Sequence, residues 1–250
     1  MKAMILCAGF GTRLGELTRS TPKALLQVAG APLIGYIILH LARHGFRHLA
    51  VNLHYQAQAI RDYLEDGSRF GVHVEYSYEP QLLGTAGGLK HMEEFFRDEE
   101  AFLVHYGDIL TDHDFGSMLA FHRERDSMLT LLIHERTRSN SVVELDEESR
   151  VVGFWERPAE PIESPRRSKW VNSGVCICRS RIFASIPTDV PSDLPRDIFP
   201  RLLASRKVFG FPLSGYRCAI DSSDRLAEAD QAIRNGHCST ELKVQNAEVA

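Results

Sequence analysis

The sequence predicts an α/β protein whose central sheet is mostly parallel and is covered by helices on both faces. Two observations predict this fold class. Over residues 1–135, apolar runs with the composition of strands alternate with segments of helical spacing, an order that favours parallel strands. Beyond residue 135, shorter strand-like runs follow one another across turns, which predicts a small antiparallel portion.

The first part of the chain supplies the alternating elements. The helix over 33–44 is predicted from Leu33, Ile37 and Leu41, which recur at helical spacing, and from Gly45, which closes it. The predicted elements are, in order, strand Met4–Cys7, helix Leu33–His44, strand Leu49–Leu53, helix Gln56–Leu64, strand Val72–Tyr76, helix Gly87–Phe96, strand Ala101–His105, helix Phe115–Glu124 and strand Leu129–His134.

The second part predicts an antiparallel pair followed by mixed elements. The predicted elements are strands Ser141–Leu145, Val151–Glu156 and Trp170–Cys178, helix Leu194–Ser205, strand Val208–Pro212 and helix Asp224–Arg234. We expect one continuous domain over 1–235, divided near residue 135, and a mobile polar tail over 236–250.

Composition excludes several classes of protein. A net charge of −4 offers no general attraction to nucleic acid or to an anionic membrane. No apolar run is long enough to cross a bilayer, and the first residues lack a signal-peptide pattern. The five cysteines form no Cys-x-x-Cys pair, so we expect buried free thiols in a cytoplasmic protein. The oligomeric state is open, although a homo-oligomer is compatible with the sequence.

The first strand runs directly into a loop with two glycines, Gly9 and Gly11. Glycines let backbone N–H groups approach a ligand closely, and successive amides in such a turn bind anions. Arg13 adds a fork-shaped cation and Lys23, after a proline, a point-charge cation. The sequence therefore predicts a polyphosphate site here.

Two better-known phosphate loops do not fit. No segment matches Gly-x-x-x-x-Gly-Lys-Ser/Thr, the loop of nucleotide hydrolases. The dinucleotide fingerprint needs a third glycine for close packing of helix on strand, and Leu14 occupies that position.

Two further turns carry candidate ligand contacts. Asp108 follows the strand over 101–105 and a glycine, at the kind of strand end where a carboxylate can hold Mg²⁺. Asp112 and Asp114 are more typical of loop and cap positions. The segment 79–88 is a second glycine-rich turn, and closely spaced glycines let a flat base or ribose lie against the backbone.

The glycine loop resembles the signature of the sugar-phosphate nucleotidylyltransferases, the nucleotide-sugar pyrophosphorylases. It carries Leu6-x-x-Gly9-x-Gly11-Thr12-Arg13-Leu14, followed by Pro22-Lys23. The likeness extends from Met1 to about Ala232, with several separate motifs in the family's order. It implies a Rossmann-like sheet of the nucleotide-diphospho-sugar transferase type, binding the nucleotide mainly through 1–135 and the sugar phosphate mainly through 136–235.

The resemblance also implies site residues. Catalysis is expected from Arg13, Lys23 and Asp108. Nucleotide contacts are expected from Leu6, Ala8, Gly9, Gly11, Thr12, Arg13, Lys23, Glu79, Gly84, Thr85 and Gly87. Contacts to the sugar phosphate are expected from Gly107, Glu156, Arg157 and Asn172. Arg157 stands where the family has lysine, so a fork replaces a point charge.

The implied cofactor is Mg²⁺, held by Asp108 and a second aspartate. The family carries that second aspartate in Asp-x-Gly-Thr-Pro before its last helix, and this chain lacks the Gly-Thr-Pro. Asp221 is our candidate, and Asp224 is either an alternative ligand or a helix cap.

The resemblance implies transfer of a nucleotidyl group from a nucleoside triphosphate to a sugar 1-phosphate. Leu83-Gly84-Thr85-Ala86-Gly87 has the form seen in guanylyltransferases for mannose and heptose phosphates, whereas Gly-Leu-Ala is usual for dTTP. Glu79 would accept hydrogen bonds from guanine, or would merely end a strand.

Three alternatives stay open. The first is the same reaction with UTP and a hexosamine or uronic-type phosphate. The second is a glycosyltransferase of related fold, for which Asp112-x-Asp114 formally supplies the metal motif. The third is a catalytically silent regulatory homologue.

Overall fold

The structure is a computed structural model that describes residues 1–136, 139, 141–158 and 168–239. Its strands are β1 Lys2–Leu6, β2 Gln27–Val28, β3 Ala31–Pro32, β4 His48–Leu53, β5 His73–Tyr78, β6 Ala101–Tyr106, β7 Ile109–Thr111, β8 Leu129–Glu135, β9 Val142–Leu145, β10 Val151–Trp155, β11 Trp170–Arg179, β12 Val208–Pro212 and β13 Arg217–Ala219. Its α-helices are α1 Leu33–Arg43, α2 Ala57–Leu64, α3 Gly84–Lys90, α4 Glu93–Phe96, α5 Phe115–Glu124, α6 Phe199–Leu202 and α7 Ser223–Arg234.

The chain forms two compact units, each drawn from separate stretches of sequence. The first comprises Met1–Pro80, Tyr106–His113 and the described residues of Gly215–Ala250. The second comprises Gln81–His105 and Asp114–Ser214.

The first unit is built on the parallel strands β1, β4 and β5. Leu6 pairs with Asn52, which pairs with Ser77, so the three strands end side by side. Helix α1 buries Leu33, Ile34 and Ile38 without exposed area. Outside this sheet, β7 and β13 form a short antiparallel ladder. The glycine loop follows β1 and Glu79 follows β5, at the carboxyl ends of strands where ligands bind in open α/β sheets.

The second unit is mixed. Strand β11 runs antiparallel to β6 and β8, β10 pairs antiparallel with β9, and β12 pairs parallel with β8. Stacked aromatic rings fill part of its core: Phe96 lies 4.3 Å from Phe102, and Phe102 lies 5.5 Å from Phe183, between centroids. Burial of such rings removes large apolar areas from water and stabilises the unit.

The predicted α/β fold, with a mixed sheet and flanking helices, is confirmed. Helix α5 and strand β12 have the predicted bounds, and most other elements agree within two residues. The division of the chain near residue 135 stays a prediction. Among the described residues, no helix combines the length and apolar character needed to cross a bilayer.

Two predicted helices are interrupted. The helix predicted over 87–96 begins earlier, because the carbonyl of Ser192 accepts a hydrogen bond from Ala86 N–H at 2.9 Å and so supports the first turn. The helix is interrupted at Met92, whose backbone is not helical. The one predicted over 194–205 is a π turn, the short α6 and a 3₁₀ turn. Pro195 and Pro200 lack the N–H groups that a continuous helix needs.

The predicted tail divides into two parts. Residues 240–250 lie outside the described residues. Ser239, near its start, donates from its backbone N–H and its hydroxyl to the Asp112 carboxylate, at 2.9 and 3.1 Å. These bonds tie the start of the tail to the first unit.

The cap of α5 is testable. Asp114 accepts a hydrogen bond from Gly116 N–H at 2.9 Å, so Asp114→Ala should lower the free energy of unfolding by about 1 kcal/mol. Urea unfolding followed by circular dichroism measures the loss. Asp114→Asn keeps a capping oxygen and should stay close to wild type; equal stability of the alanine variant and wild type would contradict the cap.

Candidate active site

The glycine loop lies open at the end of β1. Gly11 has φ +68° and opens a short 3₁₀ turn, where its carbonyl accepts from the Thr18 hydroxyl at 3.0 Å. A Cβ at Gly11 would meet Thr18 Cγ2 at 3.0 Å, whereas one at Gly9 would have nothing within 4 Å. Thr12 is exposed and Ala8 is buried. The Thr18 side chain therefore fixes the loop backbone at Gly11, while the backbone at Gly9 stays accessible to solvent, as an anion site requires.

The predicted phosphate-binding lysine contacts the predicted metal-binding aspartate. Pro22 directs the chain into a 3₁₀ turn that begins at Lys23. Lys23 Nζ lies 2.6 Å from Asp108 Oδ2, and both side chains are largely shielded from solvent.

A second pair of opposite charges lies beside the first. Arg13 Nη1 is 3.4 Å from Asp221 Oδ2. The β7–β13 ladder brings Asp221 to Asp108, because Ile220 N–H donates to the Asp108 carbonyl at 2.8 Å. The four charged groups therefore meet at one place in the first unit.

The position of Asp224 is different. It lies in the first turn of α7, whose cap is Ser222, with the Ser222 hydroxyl accepting from Arg225 N–H. Of the two candidate second ligands, Asp221 is the one placed beside Asp108.

The two aspartates fit a magnesium ion shared with a substrate. The described part of the chain contains no cluster of three or more histidine, cysteine, aspartate or glutamate side chains that could form a complete metal cage. Magnesium usually keeps several waters and binds one or two carboxylates together with substrate phosphates. Asp108 and Asp221 would supply that smaller donor set.

Gly107 is packed against the end of β1. Its N–H donates to the carbonyl of Leu6 at 2.9 Å, and a Cβ would lie 2.8 Å from that oxygen and 2.5 Å from Cys7 Sγ. No larger residue fits without moving backbone. Burial, with a smaller contribution from the Asp108 charge, raises the pKa of the Cys7 thiol, so the thiol stays neutral.

Glu79 is fully buried at the end of β5. Its side-chain Oε1 accepts a hydrogen bond from Asn52 Nδ2 at 2.8 Å. Its backbone carbonyl oxygen is hydrogen-bonded to His54 Nδ1 at 2.7 Å. Sequence reasoning missed Asn52, because a single asparagine at the end of an apolar strand carries no pattern.

In the second unit, the glycine-rich turn 84–87 is locked to the segment around Ser192. Gly84 has φ +73°, and a Cβ there would lie 2.3 Å from the Ser192 carbonyl oxygen. Thr85 Oγ1 accepts from Leu194 N–H at 2.7 Å. At Gly87, a Cβ would meet Leu83 Cβ at 2.8 Å. The glycines thus serve close packing here.

Of the predicted sugar-phosphate residues, Gly107 belongs to the first unit, and Glu156, Arg157 and Asn172 belong to the second. Glu156 is half-buried, and Arg157 Nε lies 3.5 Å from its Oε1. Burial raises the pKa of Glu156, although the Ser141 hydroxyl and the Arg157 charge oppose the shift. Asn172 on β11 accepts from Gly174 N–H at 3.2 Å.

Asp193 interacts electrostatically with Glu156, and the sequence analysis did not identify it as a candidate residue. Burial raises the pKa of Asp193, against an opposing hydrogen bond from Thr85. Its charge also raises the pKa of Glu156, while the charge of Arg196 lowers the pKa of both carboxyls. No spacing rule connects residue 193 with residue 156.

Comparisons with known proteins show the family to which the chain is related. The sequence profile of the family described as Nucleotidyl transferase matches residues 2–217. A UTP–glucose-1-phosphate uridylyltransferase from Synechocystis sp. is 34% identical over 97% of this chain and 65% of its own length. A mannose-1-phosphate guanylyltransferase from Mycobacterium tuberculosis is 32% identical over 86% of this chain and 59% of its own length. The chain thus spans about three fifths of the length of these relatives.

The fold has a solved counterpart. A crystal structure of a proposed glucose-1-phosphate thymidylyltransferase from Bacillus anthracis, in complex with sucrose, matches with a TM-score of 0.83. The match covers 94% of this chain and 96% of that chain at 21% identity, so it shows the fold alone.

Gly84 offers a test of the locked turn. Ala at a left-handed position costs about 1–2 kcal/mol, and Gly84→Ala adds a backbone clash. Gly30→Ala is the matched control, because Gly30 has φ +88° and nothing within 4 Å of a Cβ. Urea unfolding should show a clearly larger loss of stability for Gly84→Ala. Equal losses would mean that the turn is not held against Ser192.

Proposed function

The chain belongs to the nucleotidyl transferase family, and from that premise we propose that it transfers a nucleotidyl group from a nucleoside triphosphate to a sugar 1-phosphate, releasing pyrophosphate. The observation that carries the proposal is the meeting of Arg13, Lys23, Asp108 and Asp221 beside an accessible glycine loop.

The two ion pairs suit a magnesium–triphosphate complex. Each cation has a carboxylate partner, so the four groups together carry no net charge. A ligand that brings both phosphates and Mg²⁺ lets the cations turn to phosphate oxygens while the carboxylates hold the ion. The largely shielded charges of Lys23 and Asp108 then stay compensated, whereas an isolated anion or cation would leave one of them without a partner.

The chemistry needs no protein nucleophile. A phosphate oxygen of the sugar phosphate bonds to the α-phosphorus as the bond from that phosphorus to the α,β-bridging oxygen breaks, and pyrophosphate leaves in line. Lys23 neutralises the α-phosphate and Arg13 the departing pyrophosphate. Bound Mg²⁺, held by Asp108 and Asp221, would supply further charge neutralisation. Positioning and electrostatics are expected to supply most of the rate.

We assign sugar-phosphate binding in the second unit to Glu156, Arg157 and Asn172. The Glu156 carboxylate is an acceptor for sugar hydroxyls. The Arg157 guanidinium is a donor for phosphate oxygens. Arg157 has φ +47°, in the left-handed region that is uncommon for a non-glycine residue.

We propose GTP and a mannose- or heptose-type 1-phosphate as substrates. Support comes from the Leu-Gly-Thr-Ala-Gly turn and from the M. tuberculosis relative named as a mannose-1-phosphate guanylyltransferase. UTP is the second candidate, because the Synechocystis relative is named as a uridylyltransferase and is similar over more of this chain.

The glycosyltransferase and the silent-homologue alternatives agree less well with the observed side-chain contacts. A glycosyltransferase reading needs Asp112 and Asp114 as metal ligands. Asp112 instead accepts from the backbone N–H groups of Tyr216 and Ser239, and Asp114 caps α5. A silent homologue is expected to lack part of the charged site, yet Arg13, Lys23 and Asp108 are together. Five buried free cysteines also support a reducing, cytosolic location.

The proposal is tested by incubating the protein with each nucleoside triphosphate, Mg²⁺ and a panel of sugar 1-phosphates. We expect pyrophosphate release with at least one pair, and fastest release with GTP. No release with any pair would contradict the proposed reaction.

Asp108→Asn tests the charged site. Removing the carboxylate should lower kcat/KM by about a hundredfold, the usual cost of about 3 kcal/mol for one preorganised contact. Asp114→Asn is the control, because it makes the same chemical change at a helix cap. Near-normal turnover of Asp108→Asn in limiting Mg²⁺ would contradict the metal assignment.

The pKa of Glu156 predicts a pH dependence. An ordinary glutamate has a pKa of about 4.3. Because burial raises the pKa of Glu156, its carboxylate takes up a proton at a higher pH than that. The KM for the sugar phosphate should therefore rise as pH falls, beginning above that value. The phosphate itself titrates near pH 6, so the informative quantity is the difference from Glu156→Gln. Parallel profiles of the two proteins would exclude a role for this carboxyl.

A further inference from the structure

Asn52 joins two loops of the first unit through its side chain. It lies in β4, between Leu6 of β1 and Ser77 of β5 in the register of the sheet, and is 2% exposed. Its Oδ1 accepts from the backbone N–H of Cys7 at 2.8 Å, and its Nδ2 donates to Glu79 Oε1 at 2.8 Å.

The polarity of this link is fixed by its two ends. A backbone N–H can only donate, so the amide oxygen of Asn52 faces Cys7 and the amide nitrogen faces Glu79. A carboxylate without exposed area needs donors, because burial of an uncompensated charge is costly. Leucine or serine at this position could not serve both partners.

The link also reaches the charged site through packed backbone. Cys7 is the first residue after β1 and precedes the glycine loop. Gly107 is in close contact with Leu6 and Cys7 and is followed by Asp108. A shift of Cys7 therefore moves both the loop and the carboxylate that pairs with Lys23.

We propose that Asn52 is a positioning residue for triphosphate binding, and that Glu79 acts with it as a clamp on the glycine loop and not as a reader of the base. The proposal rests on the proposed function, because it assigns the loop to a triphosphate. Neither side chain touches the nucleotide in this arrangement. The buried carboxylate of Glu79 holds Asn52, and Asn52 holds Cys7.

A reciprocal exchange tests the clamp. Asn52→Asp keeps the acceptor for Cys7 but sets a second carboxylate against Glu79, so the two groups repel each other unless they share a proton. Combining it with Glu79→Gln restores the hydrogen bond with reversed polarity and nearly unchanged volume. Titration calorimetry with Mg·GTP and Mg·UTP measures binding, and thermal unfolding measures stability.

The clamp predicts a specific pattern. At pH 8, Asn52→Asp should weaken binding of both triphosphates by about tenfold or more, the usual effect of losing a hydrogen bond to a charged group. Lower pH should recover part of the loss, because a proton then bridges the two carboxyls. The double variant should return to within about threefold of wild type, with the KM for the sugar phosphate unchanged throughout.

Three results would overturn it. One is wild-type binding by Asn52→Asp at pH 8. Another is a folded double variant that binds both triphosphates about tenfold or more weakly than wild type, a comparison that needs no folded Asn52→Asp protein. The third is a Glu79→Gln variant that changes the ratio of GTP to UTP affinity, since a clamp alters both affinities by one factor.

Failure of the proposed function has a different signature. Wild-type protein would then release no pyrophosphate with any pair of nucleoside triphosphate and sugar 1-phosphate. Thermal unfolding would still test the structural link. The unfolding midpoint should be lower for Asn52→Asp than for wild type and should recover in the double variant.

Discussion

The contact between Lys23 and Asp108 is the interaction on which the site depends. At 2.6 Å, it holds a cation and an anion that would each be costly to shield from water alone. Around it, β7 and β13 bring Asp221 within reach of Arg13. The result is a site that already gathers both cations and both carboxylates, so a ligand needs to exchange only side-chain partners, and gathered charges favour electrostatic catalysis.

Local signals in the sequence predict much of this arrangement. Hydrophobic periodicity predicts α5 and β12 to the residue, and the glycines before Arg13 predict an open loop where one exists. The pairing of Asp108 with Lys23 agrees with a shared phosphate and metal role, a role that stays a prediction. These successes concern residues that are close in sequence or belong to one motif.

Contacts between distant segments explain what could not be predicted. Helix α3 starts at Gly84 because the Ser192 carbonyl, far along the chain, accepts its first N–H groups. The link from Asn52 to Cys7 and Glu79 depends on the register of three strands, and no spacing in the sequence encodes that register. The pKa of Glu156 depends in the same way on Asp193. Side-chain hydrogen bonds of this kind are set by tertiary packing, which overrides local propensity.

The short β7–β13 ladder has a consequence for biogenesis. Asp108 and Asp221 come from opposite halves of the chain, so a polypeptide emerging from the ribosome carries the first aspartate long before the second exists. Such a non-local closure is entropically slow and is deferred until late in folding. Nascent chains that do not yet contain Asp221 therefore expose a glycine loop that lacks its full complement of carboxylates.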